Sequence, residues 1–181
     1  MKVEVVIGGR GGQGILFAGY LLGYSAVKYL DKYVVQTQTY GAETRGGESV
    51  SELIIGDSEE DVEQLVVRKA DVGIFMYQST LNSYSGKLRP DCILIIDKDL
   101  VTDIPEGYFK VEEVPALRLA EEVGSPLSSN MVMLGAFSAI TKVVELSALE
   151  KGLGDLISGE NLKANLKALR KGYEYYRERS V

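Results

Sequence analysis

Residues 7–20, IGGRGGQGILFAGY, place Gly9, Gly11 and Gly14 in a G-x-G-x-x-G spacing between two apolar runs. Glycines at such a turn let the backbone approach an anion closely. A helix opening there presents free N–H groups and the positive end of its dipole. Gly12 and Gln13 complete the turn, and the Gln13 carboxamide can donate or accept. No Lys-Ser/Thr pair follows Gly14, so the stretch is not a P-loop. A second stretch, TYGAETRGGES at 39–49, gathers Tyr40, Gly41, Glu43, Arg45, Gly46 and Gly47. Arg45 beside two glycines sets a planar, permanently charged fork next to accessible backbone. That suits a phosphate, a carboxylate or an acid of a partner chain. Glu43 is an alternative partner for Arg45. Each stretch also has a structural reading: tight strand-to-helix packing for the first, a glycine-rich surface turn for the second.

A dinucleotide site makes further demands. The second strand should end in an acid for a ribose hydroxyl. Here it ends in QTQTY, with no acid between Lys32 and Gly41, and Asp31 lies before the strand. No histidine exists to serve as a proton donor. A nicotinamide-dependent reductase and an anion-sensing module both stay open on the residues alone.

Composition narrows the chemistry. Without histidine the chain lacks the commonest general base and transition-metal ligand. Its single cysteine, Cys92, cannot hold an iron–sulfur cluster, which takes about four such ligands. Cys92 sits in the apolar run CILIID and reads as a small buried hydrophobe. Net charge is −6, which argues against general nucleic-acid binding. Residues 43–71 carry nine acids and three bases, whereas 161–181 carry six bases and two acids, so a partner surface or plain solvation can claim each segment. No run is long and apolar enough for a membrane span, and no signal peptide is expected before the first strand. A cytoplasmic protein is expected.

The elements that must position these loops follow from periodicity. Strands are expected at 2–7, 32–40, 48–56, 71–77, 92–99 and 107–115, with glycines 8–14 forming a turn. Residues 15–30 are apolar on nearly every side and predict a buried helix, in which Gly19 and Gly23 admit a close neighbour. Ser58 and the acids after it predict a helix over 57–66. Residues 82–91 read as a turn-rich connector. Helices are expected at 116–124, ending on a left-handed Gly124, and at 125–146, with Asn130 as a cap. A short helix and turn over 151–158 and an amphipathic helix over 160–179 complete the chain. Strands alternating with helices predict an α/β, Rossmann-like fold: a mostly parallel sheet, helices on both faces, one domain over 1–181. In such sheets ligands bind outside the carboxyl ends of strands, so the two glycine stretches should share one edge.

Taken together, GGRGGQGILFAGYLLG, VVQTQTYGAETRGGES and NMVMLGAFSAITKVVE resemble the gamma subunit of the 2-oxoacid:ferredoxin oxidoreductases. The likeness extends to NLKANLKALRKGYEYY and covers essentially the whole chain in order. It implies an oxidoreductase that decarboxylates a 2-oxoacid with coenzyme A and passes electrons to ferredoxin. It also implies that other subunits hold the thiamine diphosphate, Mg2+ and iron–sulfur clusters, so this chain alone is expected to be inactive and to bind no cofactor by itself. The implied partners are alpha and beta subunits, with a delta subunit as a further open member, and ferredoxin indirectly; no nucleic acid or membrane is implied. VQTQTYGAETRGG looks most like the 2-oxoglutarate branch, with pyruvate, branched-chain and indolepyruvate relatives open. The residues implied to face coenzyme A or a neighbouring subunit are Gly9, Gly11, Gly12, Gln13 and Gly14 in one loop. In the other they are Tyr40, Gly41, Glu43, Arg45, Gly46 and Gly47.

Overall fold

The computed structural model describes residues 1–41, 46–107 and 110–181. Six strands form one sheet in the order β2-β3-β1-β4-β5-β6. They are β1 (Lys2–Arg10), β2 (Tyr33–Tyr40), β3 (Glu48–Gly56), β4 (Ala70–Phe75), β5 (Leu88–Asp97) and β6 (Lys110–Val114). β1, β4, β5 and β6 pair in parallel, and β3 runs antiparallel between β1 and β2. Since β2 is also antiparallel to β3, it runs in the direction of β1. Five of the six strands thus share one direction, and β1 and β2 deliver their carboxyl ends to the same edge.

Alternation along the strands makes two cores. Val5, Ile7, Leu53, Ile55, Ile74 and Ile95 face one layer; Val6, Ile54, Leu94 and Ile96 face the other. The helices are α1 (Ile15–Leu30), α2 (Gln78–Tyr84), α3 (Ala116–Glu122), α4 (Ser129–Thr141), α5 (Leu146–Leu156) and α6 (Gly159–Arg179). The two faces are unequal. α1 and α3 to α6 cover the first core, whereas α2 and loop segments cover the second. α4 is buried from Asn130 through Ala139, as its nearly all-apolar sequence requires.

Several boundaries differ from expectation. β1 runs on through Gly8 and Gly9, which pair with Val50 and Ser49, so the turn is only 11–14. The acidic segment 57–66 forms a 3-10 turn, Glu59–Val62, and no α-helix. The Asp61 carboxylate accepts the N–H groups of Asp57 and Ser58, which tightens that turn. The buried Glu4 carboxylate then accepts from Gln64, Arg68 and Lys69 and ties down the irregular, bent chain that follows. Residues 82–91 are mostly structured, split between α2, a 3-10 turn and the start of β5. The apolar stretch 125–146 stops at Lys142, in a left-handed conformation at φ 57°, and α5 begins separately. α3 does end as the sequence suggests: Gly124 has φ 74°, and Ser125 and Gly124 donate back to Ala120 and Glu121.

Candidate functional site

The turn after β1 is fastened on three sides. Gly11 N–H donates to the Gly47 carbonyl at 2.8 Å, joining the two glycine stretches directly. The Gln13 side chain turns inward: its Oε1 accepts from Arg10 N–H at 2.7 Å, and its Nε2 donates to the Met76 carbonyl at 3.0 Å. That second bond ties the turn to the end of β4. On the far side, Asn130 of α4 donates from Nδ2 to the Gly14 carbonyl at 3.0 Å.

Gly14 has φ 71°, the left-handed conformation, and a Cβ there would run into the Asn130 amide nitrogen. Asn130 is not the N-cap of its own helix, a position that Ser128 holds, although its Oδ1 serves a first-turn amide of that helix. It lies within α4, accepts from Met131 N–H on Oδ1, and fixes the start of α1. Gly14 is the N-cap of α1 and provides no side-chain cap. The N–H groups of Ile15, Leu16 and Phe17 are the unpaired first turn of that helix.

The residues of that first turn line a cleft of about 480 Å³. Among the described residues its walls are Arg10, Gly11, Gly12 and Gly14 to Phe17 on one side, and Tyr40, Gly41 and Gly46 to Ser49 on the other. Arg10 is exposed, with its guanidinium 5.9 Å from the Tyr77 ring centroid. It pairs across the sheet with Glu48. The Glu48 carboxylate is itself engaged, accepting from the hydroxyls of Ser79 at 2.6 Å and Ser83 at 2.8 Å. The cleft thus offers an uncapped helix start and a guanidinium, a combination that receives an anion.

Of the residues singled out in the sequence, Gly11, Gly12, Gly14, Tyr40, Gly41, Gly46 and Gly47 line this cleft. Gly9 does not. It is buried in β1, where a side chain would meet Ile15 and the Gln13 carboxamide. Gln13 acts from behind, as a brace. Glu43 and Arg45 lie outside the described residues. Arg10, Ile15, Leu16, Phe17, Glu48 and Ser49 also form the cleft walls and stand outside the residues singled out in the sequence. Their signal was adjacency: each neighbours a glycine stretch in sequence, and Arg10 and Glu48 meet only through the antiparallel register. That register also removes the dinucleotide arrangement. β3 separates β1 from β2, so the second strand does not stand beside the glycine turn, where an acid would meet the ribose.

Comparison with known proteins identifies the relatives of this fold. The family model described as pyruvate ferredoxin/flavodoxin oxidoreductase matches residues 4–175. The chain is 38% identical to the 2-oxoglutarate synthase subunit KorC of Methanocaldococcus jannaschii, over 98% of this chain and 96% of that one. It superposes on the gamma subunit of a keto/oxoacid ferredoxin oxidoreductase from Geobacter sulfurreducens with a TM-score of 0.84 and 34% identity, covering 97% of this chain and 99% of that one. It also matches 31% of the chain of the 2-oxoglutarate:ferredoxin oxidoreductase from Magnetococcus marinus, solved with 2-oxoglutarate, coenzyme A and succinyl-CoA bound. There the TM-score is 0.86, the identity 26%, and the match covers 98% of this chain. The chain belongs to the pyruvate ferredoxin/flavodoxin oxidoreductase family, as a gamma subunit of the 2-oxoacid:ferredoxin oxidoreductases.

Proposed function

We propose that the whole chain, 1–181, is one gamma-type domain serving a 2-oxoglutarate:ferredoxin oxidoreductase, and that its glycine cleft receives the phosphates of coenzyme A where the chain meets its partner subunits. Alpha and beta subunits then hold the thiamine diphosphate, Mg2+ and iron–sulfur clusters, and ferredoxin takes the electrons from them. The similarity to the KorC subunit supports 2-oxoglutarate as the oxoacid. No described helix is long and apolar enough to cross a membrane, which agrees with a cytoplasmic place for the complex. The observation that carries the reading is the cleft itself: an uncapped 16-residue helix start and Arg10, drawn against the second glycine stretch by the Gly11–Gly47 hydrogen bond.

Arg10→Ala and Arg45→Ala, each in the reassembled complex, test it. Loss of one charge-assisted contact to phosphate is worth about 1.5 kcal/mol, roughly a tenfold rise in KM for coenzyme A. The KM for the 2-oxoacid should stay put, as should assembly. An unchanged KM for coenzyme A in both variants contradicts the cleft assignment.

A further inference from the structure

β2 is an outermost strand of the sheet, and its free side carries no guard. It pairs with β3 from Tyr33 to Tyr40 without a register shift, and these eight residues include no charge and no proline. Charges, prolines and bulges are the usual means by which an edge is kept from pairing. The opposite edge, β6, has charges: Lys110, Glu112 and Glu113. Gly41 N–H donates to the Glu48 carbonyl, so the odd-numbered residues of β2 turn their backbone groups to β3. The N–H and C=O groups of Val34, Gln36, Gln38 and Tyr40 therefore point outward. α1 continues the same side of the molecule. It sits astride β2 and β3: a Cβ on Gly19 would meet Gln36 and Ser51, and one on Gly23 would meet Val34 and Leu53. Leu21 and Ser25 face α5 at its Gly152, and Ala18 and Leu22 lie in the core. The flank that remains overhangs the free side of β2. It bears Tyr20 and Val27, seven apart on one face and 47% and 50% exposed. The one charge within α1, Lys28, turns to Asp155 of α5. An exposed, uncharged helix flank continuous with an uncharged strand edge marks an interaction site.

We propose that β2 pairs antiparallel with β2 of a second copy of this chain, about a two-fold axis at Thr37. A two-fold normal to the sheet keeps each face on its own side, so only residues of equal parity stand opposite one another. With the axis at Thr37, every outward residue of β2 meets an outward one: Val34 stands opposite Tyr40, and Gln36 opposite Gln38. An axis at Gln36 would set Tyr40 against Lys32 and lose that match. Thr37 then forms a non-hydrogen-bonded pair with itself, the closer kind, in which two threonine hydroxyls can bond. Its Oγ1 is buried with no hydrogen-bond partner among the described residues, and a turn about χ1 carries it toward the axis. The helices agree with the strands. The axis of α1 lies half a strand spacing inside β2, and the two-fold lies half a spacing outside it. The two copies of α1 thus stand about 10 Å apart, the distance at which helices pack. Tyr20 and Val27 fill the space between them. A second copy meets both the register and the helix spacing by symmetry alone.

Cysteine placement reads the register directly. Thr37→Cys should form a disulfide between two copies on mild oxidation, since the Cα atoms of a non-hydrogen-bonded pair stand about 4.5 Å apart. The native thiol, Cys92, is buried and does not compete. Val35→Cys and Thr39→Cys should each fail to link to itself yet link to each other when mixed. Sedimentation of the full chain at micromolar concentration should give twice its 19.8 kDa mass. Gln38→Pro removes only an outward N–H, and Val27→Glu sets a carboxylate on the free flank of α1. Each should weaken the dimer about tenfold or more, with melting curves to verify that both variants fold. The Thr37→Cys link is expected in the reassembled complex as well. Its absence there overturns the proposal, whether the edge is then bare or covered by a different subunit. So does a dimer of the full chain that neither variant weakens.

Discussion

Gln13 directs both ends of its carboxamide to the backbone, and this decides what the glycine turn presents. With Oε1 on Arg10 N–H and Nε2 on the Met76 carbonyl, the turn is braced from behind and Gln13 itself does not line the cleft. A fully buried polar group elsewhere has an incomplete set of partners. Asp97, at the carboxyl end of β5, is fully buried, and its Oδ2 has no hydrogen-bond partner among the described residues. Burial raises its pKa, and the N–H of Asp99, donating to Oδ1, only partly offsets this. A carboxyl whose folded-state pKa lies above the unfolded value stabilises the fold when protonated and weakens it when ionised. Stability from this group therefore declines as pH rises through that raised value. Asp97→Asn keeps an acceptor for Asp99 and cannot ionise. It should melt higher than the parent at pH 7, and the difference should shrink toward zero as pH falls below about 4, the unfolded carboxyl range. Thermal melts of both proteins from pH 3 to 8 check this; a variant less stable at neutral pH would contradict it.

At the scale of elements, α4 and α6 cross at glycines. A methyl on Gly172 would land on the Val132 carbonyl oxygen, and one on Gly135 on the Leu169 carbonyl oxygen. Neither obstacle is a side chain that can swing aside. Gly172→Ala should cost about 3 kcal/mol and lower Tm by roughly 6–12 °C. A melt within 2 °C of the parent would show that the crossing can relax. This contact was not legible in the sequence, because two glycines some forty residues apart carry no mark of facing each other. α1, β2, β3 and α6 were legible to within a residue or two, since each has a clear period and a clear stop. The helix that the sequence predicts over 57–66 does not form, for a physical reason. Ser58 and the acids satisfy a local rule, but Asp61 folds back on the turn and Glu4 captures the chain beyond it from another strand. The two glycine stretches were legible as a pair because β2 had to run in the direction of β1. That Gln13 points inward and Asn130 reaches Gly14 depended on the placement of β4 and α4, which no local pattern encodes.

At the scale of the molecule, the chain reads as a carrier of a surface that other chains complete. Its one thiol is buried, with a pKa pushed up to about 11 by burial, and so stays protonated at neutral pH. Its cleft offers backbone amides and an arginine, which bind and orient but do not transfer electrons. On the function proposed above, a 2-oxoglutarate:ferredoxin oxidoreductase needs this chain to use coenzyme A. The direct measurement is ferredoxin reduction by the partner subunits, with 2-oxoglutarate, pyruvate or 2-oxoisovalerate, in the presence and absence of this chain and of coenzyme A. Coenzyme A-dependent turnover should appear only when this chain is present and be fastest with 2-oxoglutarate. The same coenzyme A-dependent rate without the chain, or a nicotinamide-dependent reduction by the chain alone, would contradict it.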